Sequence, residues 1–494
     1  MILVEGLVLQ IAMFLPSPMA VRVFLEALPL ASLSPPLEAL RRLLETPCLL
    51  DDDWPQPDVP ILLYHHAQLV LTALPVLPPI RLYPYCIAKL ERSLRHLAEY
   101  EEDGCAFRTF VTKWAHKIAA MDLTDTARYD HDVLCSLLRQ CTQLDHVSVE
   151  CRQHERAVLT AITTPSHRVR SLELVVPGDV ANYAPQDAAT QLAPWLRSGH
   201  ATHVGFKRFR SLDEASARHL AKALLSTPSV VSLRLHESGP VTTALIESGL
   251  SLAHLTRLEA SASDLHRLVP HLDLAKLTHL TVRCEWTRNI DWLVALLPGL
   301  TALEDLAVYS GTVTDYDGFT TSTALSLRTV RFYAMEWTRN GLLAVLDWIS
   351  TSAQLESVSL DALSFGKCAA ELSEALRQWI LAGCRRVSFS DTNLDDAGLA
   401  HIARALSRVR HRTALLVALE GIQVGLSGFL CLLDALATST YVSVLLEVED
   451  DALTPQRDEI NVLLAKYEVS YRERSDLDDY HYLHSPLHGR EDSS

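Results

Sequence analysis

The stretch Cys384-Arg385-Arg386-Val387-Ser388-Phe389-Ser390-Asp391-Thr392-Asn393-Leu394-Asp395-Asp396-Ala397-Gly398-Leu399 decides the fold. Cys384, Val387 and Phe389 are spaced apolar-x-x-apolar-x-apolar, and the last two, being two residues apart, share one face of a short strand. Beyond Asp396 the period changes, and Leu399, Ile402 and Leu406 fall on one stripe of a helix. A single strand and helix cannot bury these faces, so the unit requires neighbours like itself.

Working outward, the copies are present. The spacing recurs at Ile118, Met121, Leu123; Leu144, Val147, Val149; Val169, Leu172, Leu174; and Val230, Leu233, Leu235. It continues at Leu255, Leu258, Ala260; Leu277, Leu280, Val282; Leu303, Leu306, Val308; Leu327, Val330, Phe332; and Leu355, Val358, Leu360. Weaker copies are Ala201, Val204, Phe206; Ala414, Val417, Leu419; and Tyr441, Val444, Leu446. The middle apolar residues follow one another at intervals of 22 to 32 residues, a mean of about 27 and within the range of repeat architectures. A doubly wound sheet also alternates strand and helix, but near-equal periods with one fixed strand motif favour a stack.

These motifs resemble the ribonuclease-inhibitor type of leucine-rich repeat. Cys384 to Leu399 matches that family's strand, turn and "L-x-D-x-G" approach to the helix, and Ser211-Leu212-Asp213-Glu214 is a shorter echo with Asp213 as a helix N-cap. The resemblance implies an α/β fold: a right-handed horseshoe with parallel strands on the concave side and helices on the convex side, after a small N-terminal helical module. It covers roughly residues 116–473. Where the family often places a buried Asn or Cys, this chain has Ser238, Glu285, Gly311, Leu363 and Thr392, so an incomplete side-chain ladder is expected.

Residues 1–45 do not follow the repeat. Ile11, Phe14 and Leu15 share a helical face, Pro16-Ser17-Pro18 breaks the helix, and Met19 to Leu28 resumes it with Val23, Phe24 and Ala27 expected inward. Leu37 to Leu44 gives a third helical stretch. The run Leu9 to Val21 resembles the helix, "L-P" turn and second helix of an F-box module, without that family's leading Leu-Pro or a Trp near residue 40. That resemblance implies docking of a cullin-RING ligase adaptor through Leu7, Ile11, Leu15, Pro16, Val21 and Phe24. The alternative is a helical hairpin that caps the stack. Residues 46–115 read as a helical connector and N-terminal cap, and 474–494 as an acidic disordered tail.

Composition narrows the function. The chain has 44 basic and 60 acidic residues, a net charge of −16, which argues against nucleic acid and anionic membranes as partners. Residues 447–494 hold 13 acidic and 5 basic residues, half of that net charge. No apolar run approaches the length of a membrane span. Glu5 precedes any Lys or Arg, so the N-terminal apolar run does not read as a signal peptide. Ten cysteines without a C-x-x-C pair fit a reducing compartment, cytoplasmic or nuclear. There is no phosphate-binding glycine loop, nucleophile elbow or H-E-x-x-H. His481, His484 and His488 in the acidic tail are expected to be solvated rather than metal-bound. No catalytic, cofactor or metal residue is therefore expected, and the chain does not read as an enzyme.

What remains is a surface. Side chains alternating with the apolar strand positions face the concave side, and Arg234, His236, Arg257, Arg283, Tyr309, Arg331 and Tyr333 are the expected partner-binding set. The stripe reads as locally basic and suited to an acidic or phosphorylated protein segment. Glu285-Trp286-Thr287-Arg288-Asn289 recurs as Glu336-Trp337-Thr338-Arg339-Asn340, which places Trp286 and Trp337 on one rim. Alternatively each Trp tucks beneath its own loop while Thr and Asn cap the helix. The expected function is a protein-interaction module, either the F-box/LRR-type substrate-recognition subunit of a cullin-RING ubiquitin ligase or a stand-alone scaffold or sensor.

Overall fold

A computed structural model describes residues 2–15, 18–29, 32–44, 56–82, 87–94, 106–124, 130–151, 155–164, 167–177, 186–284, 289–314, 326–365, 368–409, 414–422, 424–447, 457–467, 469–473 and 480–484. The chain divides into two compact units, Met1–Leu250 and Ser251–Ser494. Each is a stack of strand and helix repeats.

In the first unit the strands are β1 (Ile80–Leu82), β2 (Ile118–Leu123), β3 (His146–Glu150), β4 (Ser171–Val175), β5 (His203–Lys207) and β6 (Ser232–His236). They pair in parallel and in chain order. In the second, β7 (Arg257–Ser261), β8 (His279–Arg283), β9 (Asp305–Val313), β10 (Thr329–Trp337), β11 (Ser357–Asp361), β12 (Arg386–Ser388), β13 (Leu415–Leu419) and β14 (Val442–Glu447) do the same. Two further strands, β15 (Ser470–Glu473) and β16 (Tyr480–His484), close this unit, with β16 antiparallel to both β14 and β15. The fold is the α/β solenoid that the repeat pattern predicts.

The repeat register is visible residue by residue. Met121, Val147, Leu172, Val204 and Leu233 are consecutive cross-strand partners. So are Leu258, Leu280, Leu306, Val330, Val358, Val387, Val417 and Val444. All are buried. A one-residue slip would turn such a column to the opposite face, so its burial fixes the register of every strand.

Helix starts are set locally. Asp213 Oδ1 accepts from Ser216 N at 2.9 Å, as its sequence position predicts, and Asp395 Oδ1 accepts from Gly398 N at 2.8 Å. Arg208, Glu237, Ala362 and Asp391, just past their strands, and Ser310 and Ala334, inside the longer β9 and β10, all have φ between +54° and +64°. A left-handed residue thus bends the chain at this point in repeat after repeat, and in β9 and β10 pairing resumes after it. The loop ladder is partly supplied by hydroxyls: Ser238 Oγ donates to Phe206 O (2.9 Å) and Thr392 Oγ1 to Phe389 O (2.7 Å). Asp396 reaches the next repeat, accepting from Gly425 N (2.9 Å) and Ser427 Oγ (2.8 Å).

The N-terminal helices are Ile2–Phe14, Pro18–Glu26, Pro35–Leu44 and Val59–Ala73, the last kinked at His66. The second packs on the third, the third on the fourth, and the fourth on β1. The boundary expected near residue 45 is therefore bridged by packing, because Leu37, Leu40 and Leu43 bury themselves in this layer. Lys117 ties it to β2, its Nζ donating to Leu74, Pro75 and Leu77 carbonyls at 2.8, 2.7 and 2.6 Å. These carbonyls belong to the C-cap and the turn that follows the fourth helix. Two sequence readings are corrected. Residues 80–82 are a strand rather than part of a helical connector, and residues 480–484 pair as β16 within the segment expected to be a free tail. Leu483 is buried there. No helix among the described residues is long and apolar enough to cross a membrane.

Candidate interaction face

Alternation along each strand leaves one row of side chains in the core and the other on the open sheet face. In the first unit, cross-strand pairing sets Asp122, Ser148, Glu173, Gly205 and Arg234 in one row. Arg234 Nη1 stands 2.6 Å from Glu173 Oε2. A second row alternates imidazole and hydroxyl, with His146 Nδ1 2.6 Å from Ser171 Oγ and His203 Nδ1 2.6 Å from Ser232 Oγ. Burial pushes the Asp122 carboxyl up to about 6 and the negative charge of Glu173 adds to this, against the Thr124 amide and Lys207. Burial also holds His146 below the usual imidazole range.

In the second unit one open-face row is Glu259, Thr281, Ala307, Arg331 and Ser359, and the next, two residues further along the strands, is Ser261, Arg283, Tyr309, Tyr333 and Asp361. Arg283 Nε donates to Glu259 Oε1 at 2.9 Å, and its guanidinium lies 4.6 Å from the Tyr309 ring centroid. Arg331 Nη1 donates to Tyr309 Oη at 3.4 Å. The Tyr309 and Tyr333 rings are 6.3 Å apart and inclined at 47°. Alongside, His279 Nε2 and Asp305 Oδ2 are 2.5 Å apart. Asp361 accepts from Ser388 Oγ (2.6 Å), Ser390 N (3.0 Å) and Ser359 Oγ. The result is a row of guanidinium and phenol groups, each held by a neighbour.

The expected binding set thus lies on open strand faces but in both units: Arg234 and His236 in the first, Arg257, Arg283, Tyr309, Arg331 and Tyr333 in the second. The expectation of a basic stripe is corrected. Glu173 pairs with Arg234 and Glu259 with Arg283, so these charges are compensated in place, while burial holds His279 below the usual imidazole range beside Asp305. Among the described residues, Arg257 and Arg331 have no carboxylate partner.

Trp286 lies outside the described residues. Trp337 ends β10, half-buried, with its ring edge-on to Phe332 at 5.4 Å, while Thr338 Oγ1 caps the following helix by accepting from Gly341 N. Its indole is tucked under the loop, not displayed on a rim. At the N-terminus, Leu7 and Ile11 are exposed, Leu15 and Phe24 half-buried, and Val21 fully buried; Pro16 lies outside the described residues. Val23 (58% exposed) and Ala27 point outward, contrary to their expected inward direction, and Phe14 is 89% exposed. Leu7, Ile11 and Phe14 lie one helical turn apart and form an apolar stripe that Val8 and Ala12, buried on the other side, orient.

Sequence reading missed Asp122, Glu173 and Gly205, although the period-2 pattern places all three on the open face. Burial pushes the Cys141 thiol up to about 12 and Cys384 to about 11, which keeps both protonated. Among the described residues no group of three or more His, Cys, Asp or Glu could hold a metal ion.

No protein-family model and no curated protein matches the chain. Solved structures do. A structure of the Rad7 and Elc1 complex in yeast is 13% identical, with 68% of this chain and 85% of that chain covered and a TM-score of 0.43. An internalin from Listeria monocytogenes is 11% identical over 62% and 81% of the two chains, with a TM-score of 0.31. A Leptospira interrogans LRR protein is 11% identical over 70% and 91%, with a TM-score of 0.26. The strand order and register, rather than these likenesses, carry the fold assignment.

Proposed function

We propose that this protein is a protein-interaction module that captures a partner on the open strand face of its second unit. The observation that supports this is the cluster in which Arg283 and Arg331, from adjacent rows, both engage Tyr309 beside the exposed ring of Tyr333. Arg and Tyr are the residue types that dominate binding hot spots, and side chains already held in place lose little freedom on binding. The test is capture of partner proteins by the intact chain and by an Arg331→Ala, Tyr333→Ala variant. Truncated anchors typically cost about 2 kcal/mol each, so captured partners should fall by at least tenfold. Capture that survives this change but is lost on altering helix Arg339–Ser350 overturns the reading.

A second reading has its own support, the stripe of Leu7, Ile11, Phe14 and Val23. We infer that these helices dock the adaptor of a cullin-RING ligase, as the F-box-like sequence implies, which makes the chain a substrate-recognition subunit. Co-purification with that adaptor should occur and be lost in Leu7→Asp, Phe14→Asp. No co-purification leaves the stand-alone scaffold.

A further inference from the structure

The second-unit face has a charge pattern more specific than a general docking surface. Glu259 neutralises Arg283, and Asp305 faces His279, yet Arg257 and Arg331 stay exposed without a carboxylate partner among the described residues. Arg331 is steered by the Tyr309 hydroxyl alone. His279 and Asp305 stand in the row of Arg257, while Thr281 and Ala307 precede Arg331 in its cross-strand row and keep that row low. A partner backbone can therefore approach the sheet there. Arg257 on β7 is in register with Thr329 of β10, so Arg331 lies three strand steps across and two residues further along, about 16 Å away at the usual spacings. Four residues, the even spacing that puts two side chains on one face of an extended segment, cover about 13–14 Å, and the long arginine side chains reach over the remainder.

We infer that this face binds an extended protein segment, laid across the strands, that carries two carboxylate side chains four residues apart, one for Arg257 and one for Arg331. The inference rests on the reading of this face as the capture surface. Each anion meets a single guanidinium, and Glu259 and Asp305 stand close by. That setting suits a monoanionic Asp or Glu better than a phosphate dianion, which usually gathers several Arg groups. Tyr333, 41% exposed, supplies the apolar wall beside the second carboxylate.

The test selects a displayed library of random eleven-residue peptides on the intact chain and measures binding of the winners by fluorescence polarisation. Enrichment of acidic residues at positions i and i+4 is expected. Arg257→Gln and Arg331→Gln should each weaken the winners at least tenfold, with melting temperatures unchanged. Replacing either Glu by phosphoserine should weaken rather than strengthen binding. Winners without paired acids, or winners that prefer phosphoserine, overturn the inference. If such winners are still lost on Tyr333→Ala, the capture surface stands and only its specificity is wrong. If no winner depends on Arg257, Arg331 or Tyr333, both readings fall.

Discussion

Glu173 and Arg234 form an ion pair although their strands are not neighbours: β5 runs between them, and the 2.6 Å contact passes over Gly205. A Cβ at Gly205 would lie 3.0 Å from Glu173 Cγ and 3.5 Å from Arg234 Cβ, so the glycine makes room for the bridge. Gly205→Val should lower stability by about 1–3 kcal/mol, since a branched side chain must displace packed atoms. Arg234→Ala should cost about 1–2 kcal/mol, because Glu173 stays buried without its partner while Arg234 itself is partly screened by water. Urea unfolding midpoints measure both. A Gly205→Val chain that unfolds like the parent would show that no such bridge forms.

Asp122 makes stability depend on pH. Its folded pKa, about 6, exceeds the unfolded value of about 3.9. The folded chain therefore holds this proton more tightly, and the resulting stability is fully present below about pH 4 and lost as pH rises through 6. Asp122→Asn keeps the oxygen that accepts from Thr124 N and removes the titration. At pH 7.5 the variant should exceed the parent by on the order of 1–3 kcal/mol, and near pH 4 the two should coincide. An offset that is the same at both pH values would refute burial of the ionised group as the cause.

Arg283 and Tyr333 should separate structural from binding roles. Arg283→Ala leaves Glu259, whose side chain is 14% exposed, without its guanidinium. A loss of about 1 kcal/mol is expected, discounted because Arg283 itself is 42% exposed. Tyr333→Ala should change stability by under about 0.5 kcal/mol while weakening partner capture. Thermal melts of the two variants would settle the order, and equal losses would contradict it.

The left-handed residues give a stabilising prediction. Ala334 and Ala362 have φ near +54°, where a Cβ is strained and glycine is not. Ala334→Gly should raise stability by about 0.5–1 kcal/mol, the relieved strain outweighing the added freedom of the unfolded chain. An unchanged or lower denaturation midpoint would show that the Ala334 side chain contributes packing that the angle alone does not reveal.

Much of this was legible in advance. Every middle apolar residue from Met121 to Val444 stands on a strand and in the core, because period 2 and period 3.6 are local properties of the backbone. The three-residue β1 was not legible, since Ile80-Arg81-Leu82 is too short to display a period. Nor was β16, whose acidic surroundings read as solvated although Leu483 enters the core. The outward direction of Val23 and Ala27 was not legible either, because an apolar residue in a short helix indicates a face without saying whether anything covers it.

The neighbouring pair Asp395 and Asp396 divides the two kinds of knowledge. The sequence by itself determined that a helix follows Leu394, and its cap is equally local, for Asp395 needs only the Gly398 amide three residues on. It also determined the strand faces, and with them the candidate set from Arg257 to Tyr333. Only the tertiary structure decided that Asp396 holds Gly425 and Ser427 of the following repeat, that Glu173 reaches Arg234 across β5, and that Arg257 and Arg331 are left without a carboxylate. Backbone periodicity is set within a few residues, whereas these contacts depend on how far each repeat is offset on the next, a distance fixed by core packing.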